Sequence, residues 1–354
     1  MHTDLLKNSR PWIFAQRKSG VVVSSRIRLA RNIKGAAFPW KAGVEESRRI
    51  FARISDALSS LDCLDNPVVI PIEKIDSIDR EVLCERRLIS GEMVLKGAGS
   101  GMVVAEKQHV CVMINEEDHL RMQVIRPGLD LTRSWRLLDC IDSELDGCVE
   151  YAYSAELGYL TACPTNVGTG LRVSVMLHLP GLKWMHEMDS VINGLNRMGL
   201  AVRGTFGEGS EDFGNMYQIS NQATLGIREI DTVRQIQKIA ETVVELELNA
   251  RERLMEKQRI RVYDFIGRAV GISRYAKVIS SGEALDILSG LRLGVNSDMV
   301  RGVSLGKINS LMLLVQPGHL QKKAGKELST LERDTFRARL IRDGLKDVEI
   351  YGDV

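Results

Sequence analysis

The stretch Val110-Cys111-Val112-Met113-Ile114 runs directly into Asn115-Glu116-Glu117-Asp118-His119-Leu120-Arg121, so three carboxylates, an imidazole and a guanidinium fall within six residues. A buried strand has no use for such a sequence, because every charge taken out of water must be paired or hydrogen-bonded. A carboxylate beside an arginine suits a partner that carries a cation and a phosphate together. Other motifs supply more groups of the same kind: Ser24-Ser25-Arg26-Ile27-Arg28, Cys163-Pro164-Thr165-Asn166, Leu171-Arg172-Val173-Ser174-Val175-Met176, and Arg203-Gly204-Thr205-Phe206-Gly207-Glu208. Arg26 and Arg28 share one strand face, where like charges repel unless an anion sits between them.

These side chains need a scaffold that repeats. Val21, Val23, Ile27 and Leu29 alternate with the arginines of the first motif, and Leu171, Val173 and Val175 alternate with Arg172 and Ser174. If Val110–Arg121 stays extended throughout, Asn115, Glu117, His119 and Arg121 line one face and Glu116 and Asp118 the other. Gly199–Gly209 reads as a short strand that opens into a glycine-flanked loop displaying Arg203 and Glu208. Strands with one apolar and one arginine-bearing face predict an antiparallel sheet covered by helices on one side. Val44–Leu61 and Asp130–Asp146 carry apolar residues at helical spacing, and Glu229–Lys257 predicts a helix of about 40 Å. Cys163 precedes a proline, which keeps it out of the helical region and in a polar loop. The glycine-rich Lys96–Gly101 matches neither of the common phosphate-binding glycine patterns and reads as a flexible connection between strands. From Ile260 to Leu314, glycines interrupt the helical spacing and predict several short helices. Glu327–Leu345 reads as a last helix, with Arg333 and Arg337 one turn apart on one face.

With 354 residues the chain has room for a large and a smaller domain, expected at 1–255 and 256–354. The net charge of +2 does not mark a nucleic-acid or membrane binder as a whole. From residue 253 onward, however, 18 basic residues stand against 12 acidic ones, so the C-terminal part is the one suited to anions. The six cysteines show no CxxC pair and no histidine at zinc-finger spacing, so they read as reduced thiols in a cytoplasmic protein with no metal ligands of its own. Apolar stretches are too short for a membrane span.

The Ser-Ser-Arg-Ile-Arg, Asn-Glu-Glu-Asp-His-Leu-Arg and Cys-Pro-Thr-Asn motifs, in this order and spacing over about residues 20–255, resemble the ATP:guanidino phosphotransferases, the family of arginine and creatine kinases. The resemblance implies an α+β fold, an antiparallel sheet flanked by helices, followed here by a smaller helical domain. It implies ATP as substrate with Mg2+ held mainly through the nucleotide phosphates. Arg26, Arg28, Arg121, Arg172 and Arg203 then clamp phosphates, within nucleotide-binding segments Ser24–Arg28, Arg172–Met176 and Arg203–Glu208. Glu117 and Glu208 hold the target guanidinium, with Cys163 beside it. Where the family has a nucleotide-contacting histidine before Leu-Ile-Ser, this chain has Arg87. Within the family, the short N-terminal region and the C-terminal third resemble the bacterial branch that phosphorylates arginine in proteins. Arg333-Asp334-Thr335-Phe336-Arg337-Ala338 matches that branch's motif for allosteric phosphoarginine binding. The branch implies protein substrates, a zinc-binding activator protein, a AAA+ protease that receives marked clients, a role in stress response, and a homodimer or larger oligomer. A kinase of a free guanidino compound, or a phosphoarginine-binding adaptor with an idle kinase site, would carry many of the same residues.

Overall fold

Alternating apolar residues become strands, and strands whose two faces are both covered lose the alternation. The computed structural model describes residues 20–105, 107–204 and 213–351. Its strands are β1 (Val22–Arg31), β2 (Val68–Pro71), β3 (Gly101–Val104), β4 (Val110–Ile114), β5 (Leu120–Pro127), β6 (Tyr153–Ser154), β7 (Gly158–Tyr159), β8 (Leu171–His178), β9 (Leu200–Gly204), β10 (Met216–Asn221), β11 (Val300–Arg301) and β12 (Glu349–Ile350). Eight of them form one antiparallel sheet in the order β2-β3-β4-β5-β1-β8-β10-β9. The β4–β5 hairpin pairs Val110 with Val124 and Ile114 with Leu120. That register fixes where the intervening turn must stand.

The helices are α1 (Val44–Ser59), α2 (Ser77–Glu85), α3 (Gly91–Leu95), α4 (Leu131–Asp146), α5 (Pro180–Trp184), α6 (Met188–Arg197), α7 (Glu229–Tyr275), α8 (Ser281–Asn296), α9 (Leu305–Leu314), α10 (Pro317–Ala324) and α11 (Thr330–Gly344). The described residues fall into two compact units that interleave in sequence. One contains Ser25–Ser174 and Ser220–Gln237, and the other contains Val175–Ile219 and Lys238–Val354. In the first, Ile70, Ile72, Leu83, Leu88, Met93, Met102, Val104, Cys111 and Met113 form a core between strands β2 to β4 and helices α2 and α3. In the second, Ile266, Leu288, Leu291, Ile308, Ile341 and Val348 join α7, α8, α9 and α11 around a core of their own.

Gly267, Gly271, Gly290 and Gly294 do not break helices, whereas Gly302 (φ 79°) stands between β11 and α9 as an interruption. α7 continues through Gly267 and Gly271 to Tyr275, with one departure from helical geometry at Gln258. Gly290 and Gly294 lie inside α8, where a Cβ on Gly290 would stand 3.1 Å from Ala269 and one on Gly294 would stand 2.5 Å from Val300. They are sites of close helix packing, which outweighs their cost of about 1 kcal/mol each in helix propensity. The glycine-rich Lys96–Gly101 links α3 to β3 rather than two strands, and it is tied down: the Asn115 amide donates to Gly99 O at 2.7 Å. α11 begins with a capping box, Ser329 with Glu332, which the Ser-Thr-Leu-Glu sequence encodes.

Candidate active site

The chemistry-bearing turn follows from one backbone conformation. Asn115 adopts φ 57°, in the left-handed region that asparagine tolerates better than most residues, and this reverses the chain after β4. The extended path expected through Arg121 is therefore replaced by a tight loop, closed by Asn115 N–H to His119 O at 3.0 Å and Glu116 N–H to Asp118 O at 3.2 Å. The alternation of faces ends with it. Asn115 donates to Ser47 O at 2.8 Å as well as to Gly99 O. Glu116, fully buried, accepts from Arg121 at 2.7 Å and from the Ser90 hydroxyl. Asp118 accepts from the Asn32 amide and from Ala162 N–H, both at 2.6 Å. His119 accepts at Nδ1 from Ile33 N–H (3.1 Å) and donates from Nε2 to Ala37 O (3.0 Å), the pattern of a neutral imidazole. Burial also lowers its pKa.

Glu117 is the exception. It is half-buried and makes no hydrogen bond among the described residues. Burial, then the neighbouring Asp118 carboxylate, raise its pKa above the ordinary carboxylate value, with Arg121 acting in the opposite direction. A carboxylate that is accessible, incompletely solvated and raised toward neutrality is suited to take up a proton.

Around it lies a concentration of positive charge. Arg26 and Arg28 project from β1, Arg121 from the start of β5 and Arg172 from β8. Burial and the charges of Arg87, Arg121 and Arg172 bring the Arg26 pKa down to about 9. Arg28 is lowered well below its ordinary value by burial and by Arg26, Arg121 and Arg172, and its Nε is buried with no hydrogen-bond partner. Guanidinium groups in proteins stay charged, so these shifts measure electrostatic stress rather than proton loss. A polyphosphate relieves such stress. Arg87 adds to this field from a left-handed residue, φ 62°, whose carbonyl accepts from the Gln123 amide at 2.6 Å. Arg121 is already engaged by Glu116, which keeps its pKa high despite burial.

Cys163 is half-buried, extended as its proline neighbour requires, with Sγ 3.0 Å from Thr165 Oγ1. Asp118 holds the amide of Ala162, the residue before it, so one carboxylate ties the cysteine loop to the Glu117 turn. Of the expected nucleotide segments, Ile27, Val173 and Val175 are fully buried, and Ser25 Oγ accepts from Asp130 N–H at 3.1 Å. Ser24 and Ser174 are buried within their strands, and Met176 is half-buried. Arg203 and Gly204 end β9, while Thr205, Phe206, Gly207 and Glu208 lie outside the described residues.

On α11, Arg333 is half-buried and donates to Leu328 O (3.1 Å) and Thr330 Oγ1 (3.3 Å). Arg337 is 1% exposed and donates to Val315 O and Ile279 O, each at 2.8 Å, and to Asp334. Ala338 is fully buried. Arg333 and Arg337 thus do not form one open cationic face, because Arg337 joins the ends of α9 and the α7–α8 loop to α11.

Sequence reading gave Glu116, Asp118 and His119 no structural role, and missed Asn32, which receives His119 N–H at 2.9 Å. It also missed Arg31, 1% exposed, which pairs with Asp142 through two bonds of 2.6 and 3.1 Å. A signal was present in both cases, a polar residue inside a strand-forming run, but its partner lay far along the chain.

A family model described as "ATP:guanido phosphotransferase, C-terminal catalytic domain" matches residues 49–250, more than half of the chain. The protein-arginine kinase of Moorella thermoacetica is 39% identical over 97% of this chain and 99% of its own length. The chain belongs to the ATP:guanido phosphotransferase family. A second model of the family's proteins, "Protein-arginine kinase McsB C-terminal domain", matches residues 259–352. The protein-arginine kinase of Halothermothrix orenii is 41% identical over 96% of the chain and 97% of its own length. Among solved phosphotransferases, lombricine kinase aligns with a TM-score of 0.57 and 26% identity, covering 68% of this chain and 69% of that one. The duplicated taurocyamine kinase from Schistosoma mansoni, with bound transition-state-analogue components, aligns with a TM-score of 0.59 and 25% identity, over 78% of this chain and 41% of that one.

Proposed function

We infer that the chain transfers the γ-phosphoryl group of ATP to arginine side chains in proteins. The observation that carries this is Glu117: in a turn whose other charged side chains are all engaged, its carboxylate alone stands open, raised in pKa, beside Arg121, a member of the arginine cluster. A protonated guanidinium is a poor nucleophile and must lose a proton as its nitrogen attacks phosphorus. Glu117 accepts that proton. The new P–N bond forms as the bond from γ-phosphorus to the bridging oxygen breaks, and ADP leaves. Arg26, Arg28 and Arg172 stabilise the charge on the phosphoryl oxygens, where preorganised positive groups supply most of the rate. Arg121, fixed by Glu116, spans the carboxylate and phosphate sides. Arg87, in place of histidine, adds charge to the same field. Arg203 and Glu208 are assigned by motif to phosphate and guanidinium, and Cys163 to the neighbourhood of the guanidinium.

Magnesium fits as an ion carried by the nucleotide. Among the described residues, Glu116 and Asp118 beside Arg121 are committed to protein partners, and Glu117 is assigned to the guanidinium. When bound it neutralises charge on the phosphate oxygens.

We assign catalysis to 1–255 and regulation to 256–354, a division supported by the two matched ranges. For the second part we propose phosphoarginine binding by Arg333, Asp334, Arg337 and Ala338. Because Arg337 is engaged with carbonyls, a ligand must exchange them for phosphoryl oxygens, which makes binding inseparable from movement of α11. Protein clients, a zinc-binding activator, a AAA+ protease that consumes the marked clients, self-association and a cytoplasmic location complete the reading. Among the described residues no helix is long and apolar enough to cross a membrane.

The test is a kinase assay with ATP on an unfolded basic protein and, separately, on free arginine, with mass spectrometry on gently handled product. Phosphoarginine, labile in acid, is expected on the protein. Transfer confined to free arginine would instead favour a kinase of a free guanidino compound, and no transfer to either, with phosphoarginine binding intact, would leave an adaptor.

A further inference from the structure

Far from the arginine cluster in function, the first compact unit carries a second group of reactive side chains. Cys63 lies half-buried in the loop after α1, and Cys140 and Glu144 stand one turn apart on α4. Their two sulfur atoms and a carboxylate oxygen all lie within 4.8 Å of one another, the single such grouping of His, Cys, Asp and Glu among the described residues. The carboxylate does not swing freely. It accepts from Cys140 at 3.4 Å, from the Cys63 thiol, and from the backbone N–H groups of Cys63 and Asp62.

We propose that Cys63, Cys140 and Glu144 form a binding site for a soft divalent cation of the zinc class. Two thiolates and a carboxylate are donors that such cations prefer, whereas magnesium and calcium require oxygen shells. Bonds of about 2.3 Å to sulfur put tetrahedral ligands about 3.8 Å apart, a spacing that three atoms already within 4.8 Å of one another reach by small side-chain movements. Both thiols release their protons to solvent on binding. The fourth position is left to water, and exposed Cys140 gives the ion its way in. Binding staples the loop after α1 to α4, the helix whose Asp142 fixes Arg31. Such a staple stabilises the unit that holds the arginine cluster.

The experiment titrates the full, reduced chain with Cd2+ as an optical probe under anaerobic conditions, then repeats with Zn2+ while following thermal unfolding. One Cd2+ per chain is expected, with a sulfur-to-metal absorption band that disappears in the Cys63→Ser, Cys140→Ser double variant and persists in Cys84→Ser. Glu144→Gln retains the sulfur-to-metal band but binds at least roughly 10–100-fold more weakly, the loss of a direct ligand costing no less than that of an outer-shell partner. Zn2+ raises the wild-type melting temperature but not that of the double variant, and protects Cys140 from alkylation as read by mass spectrometry, a measurement that needs no variant. An unchanged band in the double variant, no band at millimolar Cd2+, or undiminished alkylation of Cys140 with Zn2+ present would each overturn the proposal.

Discussion

Replacing Arg26 with methionine should make the unliganded protein more stable while removing its response to nucleotide. Arg26 sits on β1, and its pKa falls to about 9 through burial first and the charges of Arg87, Arg121 and Arg172 second. A charge held out of water among like charges is a net cost to the folded state. Because the guanidinium stays charged, the penalty is present throughout the usable pH range and is relieved by a bound anion rather than by raising pH. Methionine removes the charge but keeps much of the aliphatic stem, and lost packing and residual solvation reduce the gain, so about 1–4 kcal/mol is expected, the range for replacing buried charges with apolar side chains. Urea denaturation at pH 7.5 with and without Mg·ADP measures both effects. Wild type should gain about 2.7 kcal/mol at 100 times Kd, and the variant little. A variant destabilised by more than about 1 kcal/mol would show that Arg26 is a net structural asset. An undiminished response to ADP would remove it from the phosphate site.

Four further outcomes follow from the same geometry. Glu117→Gln should cost about 10²–10⁴-fold in kcat, with ADP binding by calorimetry nearly unchanged. The acid limb of kcat against pH should fall above the ordinary carboxylate range, because Glu117 must be ionised to act and its pKa is raised; a limb at or below that range assigns the base elsewhere. Asp118→Asn should lower kcat by about 10²-fold through misplacement of the Glu117 turn and the Cys163 loop, with little change in melting temperature; a pure stability loss at full activity contradicts that coupling. Arg337→Ala should destabilise the chain by about 3–5 kcal/mol in denaturant titration, since it strands buried carbonyls and Asp334, whereas Arg333→Ala should leave stability nearly intact and weaken phosphoarginine binding.

The strands were legible because alternation is a local property, and so were α1, α4 and the start of α7. The turn was legible as a site but not as a shape. Asn115 can be read as extended or left-handed with equal ease, and only the β4–β5 register decides, a constraint from residues beyond Leu120. The C-terminal glycines misled for a related reason: Gly290 and Gly294 cost propensity within α8 and repay it by allowing α7 to approach, which spacing in one helix cannot reveal. Arg337 shows the limit most plainly. Its position one turn from Arg333 was correct, but whether its donors face solvent or the carbonyls of Val315 and Ile279 depends on segments that α11 meets only after folding.

The tie between Asp118, Asn32 and Ala162 has a consequence for how this motif can be moved or altered. The loop from Asn115 to His119 is anchored to Ser47 and Gly99, to Ser90, to Asn32 and Ala162, and to Ile33 and Ala37. Its five residues therefore form no portable cassette. Grafted onto a foreign hairpin, they would arrive without their anchors, and the glutamate would become an ordinary solvated carboxylate. Swapping Ser25–Ser174 as a block between relatives carries lock and key together, and drift at Asn32 or Ser90 should be tolerated only alongside a matching change at Asp118 or Glu116.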